Sequence, residues 1–164
     1  MSKPAAAFTL RDAVWPDDRP AALSFIDGLQ AFEKRFEANR RLDAAVAAEY
    51  FTVLSARLAR NDGLVRLAEA DGGAIGWIAA VIEDNDVYVV DAERTIGYIV
   101  ELFVVEAWRG RGVGRALIAA AEDWARRRGV ATMLIGVIPD NARAAAVYRR
   151  AGFAPYALQL RKYL

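Results

Sequence analysis

The chain has 164 residues, of which 55% are hydrophobic and 26% charged, with a formal net charge of +1. That length suits one domain with a single sizeable core, and the near-neutral charge provides no global field to attract nucleic acid or an anionic membrane. Cysteine and histidine are both absent, which excludes disulfides, thiolate nucleophiles, imidazole bases and the usual transition-metal ligand sets, so no metal is expected.

No apolar run approaches the roughly 20 residues that span a bilayer. The opening MSKPAAAFTL also lacks the long apolar segment of a signal peptide. The expected location is therefore cytoplasmic, with no membrane partner. In chain order, Phe8 to Val14 reads as a short strand, ended by Trp15-Pro16-Asp17-Asp18. Leu23, Ile26, Leu29, Phe32 and Phe36 recur at helical spacing, and a second helix is expected from Leu42 to Ala59, stopped by Asn61-Asp62-Gly63. LVRLAEA and AIGWIAAVIE flank Asp71-Gly72-Gly73 as a hairpin.

An acidic turn with Glu83, Asp84, Asp86, Asp91 and Glu93 leads to TIGYIVELFVV, the most strand-like segment. A helix from Gly112 to Arg128 closed by Gly129, a buried strand TMLIGVI, a helix from Ala142 to Arg150 closed by Gly152, and a last strand in FAPYALQLRKYL complete the order. No repeat, linker or low-complexity tract divides the chain, so one domain over 1–164 is expected. The last strand offers an edge through which two copies could pair as a homodimer.

WRGRGVGRALI places glycines at 110, 112 and 114 between a strand and a helix. Glycine tolerates positive φ and close approach, and a helix N-terminus carries unpaired N–H groups and partial positive charge. Arg109, Gly110, Arg111, Gly112, Val113 and Gly114 therefore form a candidate anion site, the plain alternative being a tight turn. A P-loop is excluded, because no lysine follows the glycines. A dinucleotide fingerprint fits Gly110 and Gly112 but lacks its third glycine at Arg115; Asp140 stands at about the distance of its ribose-binding acid.

ELFVVEAWRGRGVGRALI followed by PDNARAAAVYRRAGF resembles the GNAT superfamily of acyl-CoA-dependent N-acyltransferases. The signature [QR]-x-x-G-x-[GA] matches Arg109, Gly112 and Gly114, and N-x(6)-Y-x(3)-G-F matches Asn141, Tyr148, Gly152 and Phe153. The resemblance implies an α+β fold, an α/β-type three-layer sandwich with a mixed, mostly antiparallel sheet flanked by helices. It implies an N-acetyltransferase that moves an acetyl group from acetyl-CoA to a primary amine. By the same resemblance, main-chain groups of Leu102, Phe103 and Val104 pair with the pantetheine arm, and the amides of Gly110 through Arg115 take the pyrophosphate. Tyr148 is implied as the acid that protonates the leaving thiolate, and Asn141 as a pantetheine contact as well as a cap for the helix from Ala142.

An ammonium acceptor must lose a proton before attack. Without histidine the candidate base is a carboxylate, and Glu101 lies in the apolar strand beside the implied acyl site, where desolvation would raise its pKa. Strict alternation leaves it open whether Glu101 faces inward, and relatives in the family carry their acid one position earlier, at Val100 here. Glu33, Glu37, Glu83 and Asp84 stay open as alternatives. The acceptor site is expected from Phe25 to Tyr50 and from Glu83 to Arg94, with the aromatics mainly in the core. Arg143, Arg149 and Arg150 read as 3′-phosphate ligands or as solvated helix charges. A catalytically silent acyl-CoA-binding module and a dinucleotide-binding oxidoreductase are the competing readings.

Overall fold

The computed structural model describes residues 7–164, so the first six residues of the MSKPAAAFTL segment lie outside the described residues. Five strands form one sheet in the order β1-β2-β3-β4-β5: β1 (Thr9–Asp12), β2 (Leu64–Ala70), β3 (Gly73–Asp84), β4 (Thr95–Val104) and β5 (Met133–Ile135). The first four strands pair antiparallel and β5 joins β4 parallel. This is the mixed, mostly antiparallel sheet expected: among the described residues β4-α4-β5 is a single parallel β-α-β unit, whereas a dinucleotide-binding fold requires several in succession.

Helices α1 (Arg19–Glu33) and α2 (Val46–Arg60) separate β1 from β2. They cover one sheet face, where Ala22, Phe25, Ile26, Ala47 and Leu54 close over Leu67 and Trp77. Helix α4 (Val113–Arg127) covers the other face. Its Val113, Leu117, Ile118, Ala121, Trp124 and Ala125 recur at three- and four-residue steps and meet Ala68, Ile78, Ala80 and Ile99. Each fully buried Leu, Ile or Val is worth about 1.5–3 kcal/mol, so this stripe seats the helix firmly. A four-residue helix α3 (Asp91–Arg94) precedes β4, and α5 (Ala142–Arg150) packs Val147 and Tyr148 at the edge of the α4 core. Gly129 and Gly152 follow α4 and α5 with φ of +74° and +95°, as helix-closing glycines do.

Five expectations require correction. The first strand ends at Asp12 and the second helix starts at Val46, because Asp43 bonds Arg41 and the Ala45 amide instead of entering the helix. The buried stripe of α1 is Ala22, Phe25 and Ile26, so of the expected series only Ile26 is fully buried. TMLIGVI contributes only Met133–Ile135 as strand. FAPYALQLRKYL forms no strand, and Tyr156, Leu158, Leu160 and Tyr163 are exposed. Its alternation suits a strand, but a strand needs a neighbouring edge for its N–H and C=O groups.

Candidate active site

The site follows from an extra residue in β4. Ala79 of β3 pairs with Glu101 and Ala80 with Ile99, leaving Val100 as a bulge. Ile99 and Leu102, three positions apart, consequently share the α4 face, while Val100 and Phe103 pack toward α1 and α2. The pairing of β4 with β5 also ends here, at Ile99 opposite Ile135. Beyond it the two strands diverge, and a cavity of about 1290 Å³ opens between Tyr98–Val104 and Ile135–Ile138.

Val105 N–H donates to the Ile75 carbonyl, and the Phe103 carbonyl lies against Gly76, so both residues turn their main chain to β3. Alternation turns the main-chain groups of Leu102 and Val104 the other way, into the cleft. The Val104 carbonyl already accepts from Arg109 Nε at 2.8 Å. Leu102 therefore presents both polar groups and Val104 its N–H, like an edge awaiting another strand.

The glycine loop leads from β4 through a 3-10 turn (Glu106–Trp108) into α4. Gly110 and Gly112 adopt φ of +76° and +88°, and a Cβ at either would meet no atom within 4 Å. Conformation, not crowding, therefore calls for glycine at both positions. Gly112 is the N-cap of α4 and no side chain caps the helix. Ala116 is the first amide to bond back, to the Gly112 carbonyl, which leaves Val113, Gly114 and Arg115 N–H groups ahead of the helical ladder. Gly110, Arg111, Gly112, Gly114, Arg115, Arg143 and Arg150 line this end of the cavity, whereas Arg149 does not. Arg109 is occupied elsewhere: its guanidinium lies 5.1 Å from the Phe32 ring and 5.5 Å from the Phe103 ring, and burial lowers its pKa.

Two titratable groups with shifted pKa values, Glu101 of β4 and Tyr148 of α5, line the cavity. Glu101 is 5% exposed. Its Oε1 accepts from the Tyr50 hydroxyl at 2.6 Å, while Oε2 is buried with no partner. Desolvation raises its pKa to about 7, with the Tyr50 hydrogen bond opposing and the negative charge of Glu33 adding. Tyr148 on α5 packs edge-on against Phe153. Its pKa is pushed up to about 12, chiefly by burial and then by the charges of Glu33 and Glu101. Asn141, 6% exposed, accepts from the Ala144 amide at 3.1 Å and caps α5 as expected.

The other acids separate clearly. Glu33 lines the cavity, pairs with Arg40 at 2.9 Å and has its pKa raised by burial. Glu37 is paired with Arg40 outside it. Glu83 is held bidentate by Arg57, which lowers its pKa, and Asp84 accepts from Thr95. The acidic stretch from Glu83 to Arg94 does not line this cavity, contrary to the expected acceptor region, whereas Leu29 and Phe32 do. Phe32 is thus a wall of the site and not a core residue. Sequence reasoning missed the Tyr50 partner, because no local pattern links positions 51 apart.

Residues 27–153 match the family model described as Acetyltransferase (GNAT) family. An aminoglycoside N(6')-acetyltransferase type 1 from Stenotrophomonas maltophilia is 33% identical over 102 residues, 61% of this chain and 65% of that relative. The chain thus spans less than two thirds of that relative's length. Among solved structures, AAC(6')-Iy in complex with a CoA-linked bisubstrate analogue is 26% identical, with a TM-score of 0.64 and coverage of 96% of this chain and 99% of that one. A GCN5-related N-acetyltransferase from Ralstonia eutropha JMP134 shares the fold at 22% identity, with a TM-score of 0.75 and coverage of 96% and 99%.

Proposed function

The chain belongs to the GNAT acetyltransferase family, and from that premise we propose that it transfers the acetyl group of acetyl-CoA to a primary amine by direct attack. The observation that carries the reading is the cleft itself. A freed β4 edge, an uncapped helix start behind two positive-φ glycines, a buried carboxylate and a half-buried phenol all line one cavity. The bisubstrate analogue bound by AAC(6')-Iy, which joins CoA to an aminoglycoside, supports the same pair of ligands for this fold.

In this reading Leu102 and the Val104 N–H pair with the pantetheine arm as a strand would, while the Phe103 main chain stays with β3. The amides of Val113, Gly114 and Arg115, with Gly110, Arg111 and Gly112, receive the pyrophosphate at the positive end of α4. Arg115, Arg143 and Arg150 supply neutralising charge, and Asn141 combines the cap of α5 with a pantetheine contact. The acceptor enters past Leu29, Phe32 and Glu33, where a carboxylate favours a cationic amine.

Glu101 takes the ammonium proton on Oε2, and a pKa of about 7 suits a base at neutral pH. The amine nitrogen then attacks the thioester carbonyl, giving a tetrahedral intermediate whose oxyanion is held by a β4 amide. As the C–S bond breaks, the thiolate takes the Tyr148 hydroxyl proton. A phenol with its pKa pushed up to about 12 is still protonated at that moment. The second proton of the attacking nitrogen then passes to the resulting tyrosinate, which leaves a neutral amide and a neutral phenol.

Among the described residues no helix is long and apolar enough to cross a membrane. A cytoplasmic location and a single transferase domain over 1–164 are part of the same proposal. Calorimetric titration with acetyl-CoA, alongside NAD and NADPH, tests it. Acetyl-CoA binding weakened by Gly112→Glu in folded protein, together with amine-dependent release of CoA thiol, is the expected result. Binding without release under any amine marks a silent acyl-CoA module, and no acetyl-CoA binding removes the transferase reading.

A further inference from the structure

We propose that Tyr50 is the positioning residue for Glu101: from α2 its hydroxyl pins Oε1 and leaves the bond-free Oε2 as the oxygen that receives the amine proton. This rests on the reading of Glu101 as the base. The bond is 2.6 Å and joins two elements that share no other polar contact at this point. Oε2 is buried and unpartnered, in a side chain that lines the cavity. A buried carboxylate oxygen without a donor is costly, and it is the acceptor of this carboxylate left open to a donor that binds against Glu101.

The surroundings favour a poised carboxylate over a structural ion pair. Glu33 from α1, Arg40 from the segment after it, Tyr50 from α2 and Tyr148 from α5 are the titratable and charged groups that act on Glu101 or feel its charge. Arg40 is committed to Glu33 and Glu37 and bonds neither Glu101 oxygen. Tyr50 is therefore the one donor that fixes the carboxylate among the described residues. A phenol in this place orients it without adding a positive charge that would quench its basicity.

The experiment is 13C NMR of protein labelled at the glutamate carboxyls, with Glu101→Gln identifying the resonance, in the parent chain and in Tyr50→Phe. Losing a hydrogen bond to the charged form moves the Glu101 titration up by about one pH unit. The acid limb of acetyl transfer to the aminoglycoside tobramycin, used as the amine probe, moves by the same amount. An unmoved Glu101 titration overturns the proposal. A moved titration with an unmoved acid limb also overturns it, since Glu101 is then not the base. A chain that acetylates no amine defeats the transferase reading while the NMR arm still decides whether Tyr50 holds the carboxylate. If Tyr50→Phe does not fold, Glu101→Gln in tyrosine-labelled protein gives the reciprocal reading. In the parent the Tyr50 13Cζ resonance shifts as Glu101 titrates; in Glu101→Gln that pH dependence is lost, and a Tyr50 resonance unaffected by the substitution overturns the pairing.

Discussion

Arg109 Nε donates to the Val104 carbonyl at 2.8 Å, so the first arginine of the glycine loop turns back onto the strand it has just left. The guanidinium is sandwiched between Phe32 and Phe103. The side chain thereby ties the loop that leads into α4 to both β4 and α1. Arg109→Ala is expected to cost about 1–3 kcal/mol in urea unfolding through the lost bond and stacking. Arg109→Lys cannot reproduce a planar, stacked donor, so it recovers less than half of that loss. Full recovery with lysine would show that charge alone matters here.

Glu101 makes stability depend on pH. Its folded pKa, about 7, lies above the ordinary value of 4.5. The folded chain thus holds this proton more tightly than the unfolded chain does. The associated stability is present below about pH 4.5 and is lost as pH rises through 7. Glu101→Gln keeps an acceptor for the Tyr50 hydroxyl and avoids the buried charge. Relative to the parent it should gain stability between these pH values, levelling at roughly 3 kcal/mol. Denaturant midpoints across pH 4 to 9 measure this, and a constant difference would mean that Glu101 is solvated.

Tyr148→Phe removes the hydroxyl of a half-buried tyrosine, which has no hydrogen-bond partner among the described residues, and retains the packing on Phe153. Acetyl-CoA affinity by calorimetry should stay within a few-fold, and turnover should fall by roughly 10²–10⁴, the usual worth of a positioned acid. Equal turnover would remove Tyr148 from the proton path.

Gly112→Ala places a side chain at φ of +88° with open space around it. Strain alone should therefore cost about 1 kcal/mol of stability. Because the same residue begins α4, acetyl-CoA binding should weaken as the loop relaxes. A loss of stability with unchanged affinity would place the pyrophosphate elsewhere.

Asn141→Ala deletes the N-cap of α5, and about 1 kcal/mol is the expected loss in thermal or urea unfolding. Asn141→Asp keeps the capping oxygen and so keeps stability. If Asp also binds acetyl-CoA as the parent does, the amide nitrogen makes no contact with the pantetheine.

What could be read without coordinates was whatever local chemistry enforces. Asp71-Gly72 makes the β2–β3 turn, Gly129 and Gly152 close helices, and the loop from Gly110 to Gly114 carries positive φ into an uncapped helix start, because these are short-range properties. The spacing from Asn141 to Tyr148 was equally legible, since both lie on one short helix and its cap.

Other features depend on partners distant in sequence. The Val100 bulge exists only relative to Ala79 and Ala80 of β3, and it lets Glu101 meet Tyr50 of α2 while Ile99, two positions earlier, packs on the α4 face. The splitting of β4 from β5 shortened TMLIGVI to three strand residues. The alternating C-terminal segment found no edge to pair with, and Phe32 became a cavity wall although its spacing matched a core helix. Periodicity reports which residues could lie together on one face of an element. Which face meets solvent, core or cleft is determined by the other elements packed against it, and that arrangement exists only in the folded chain.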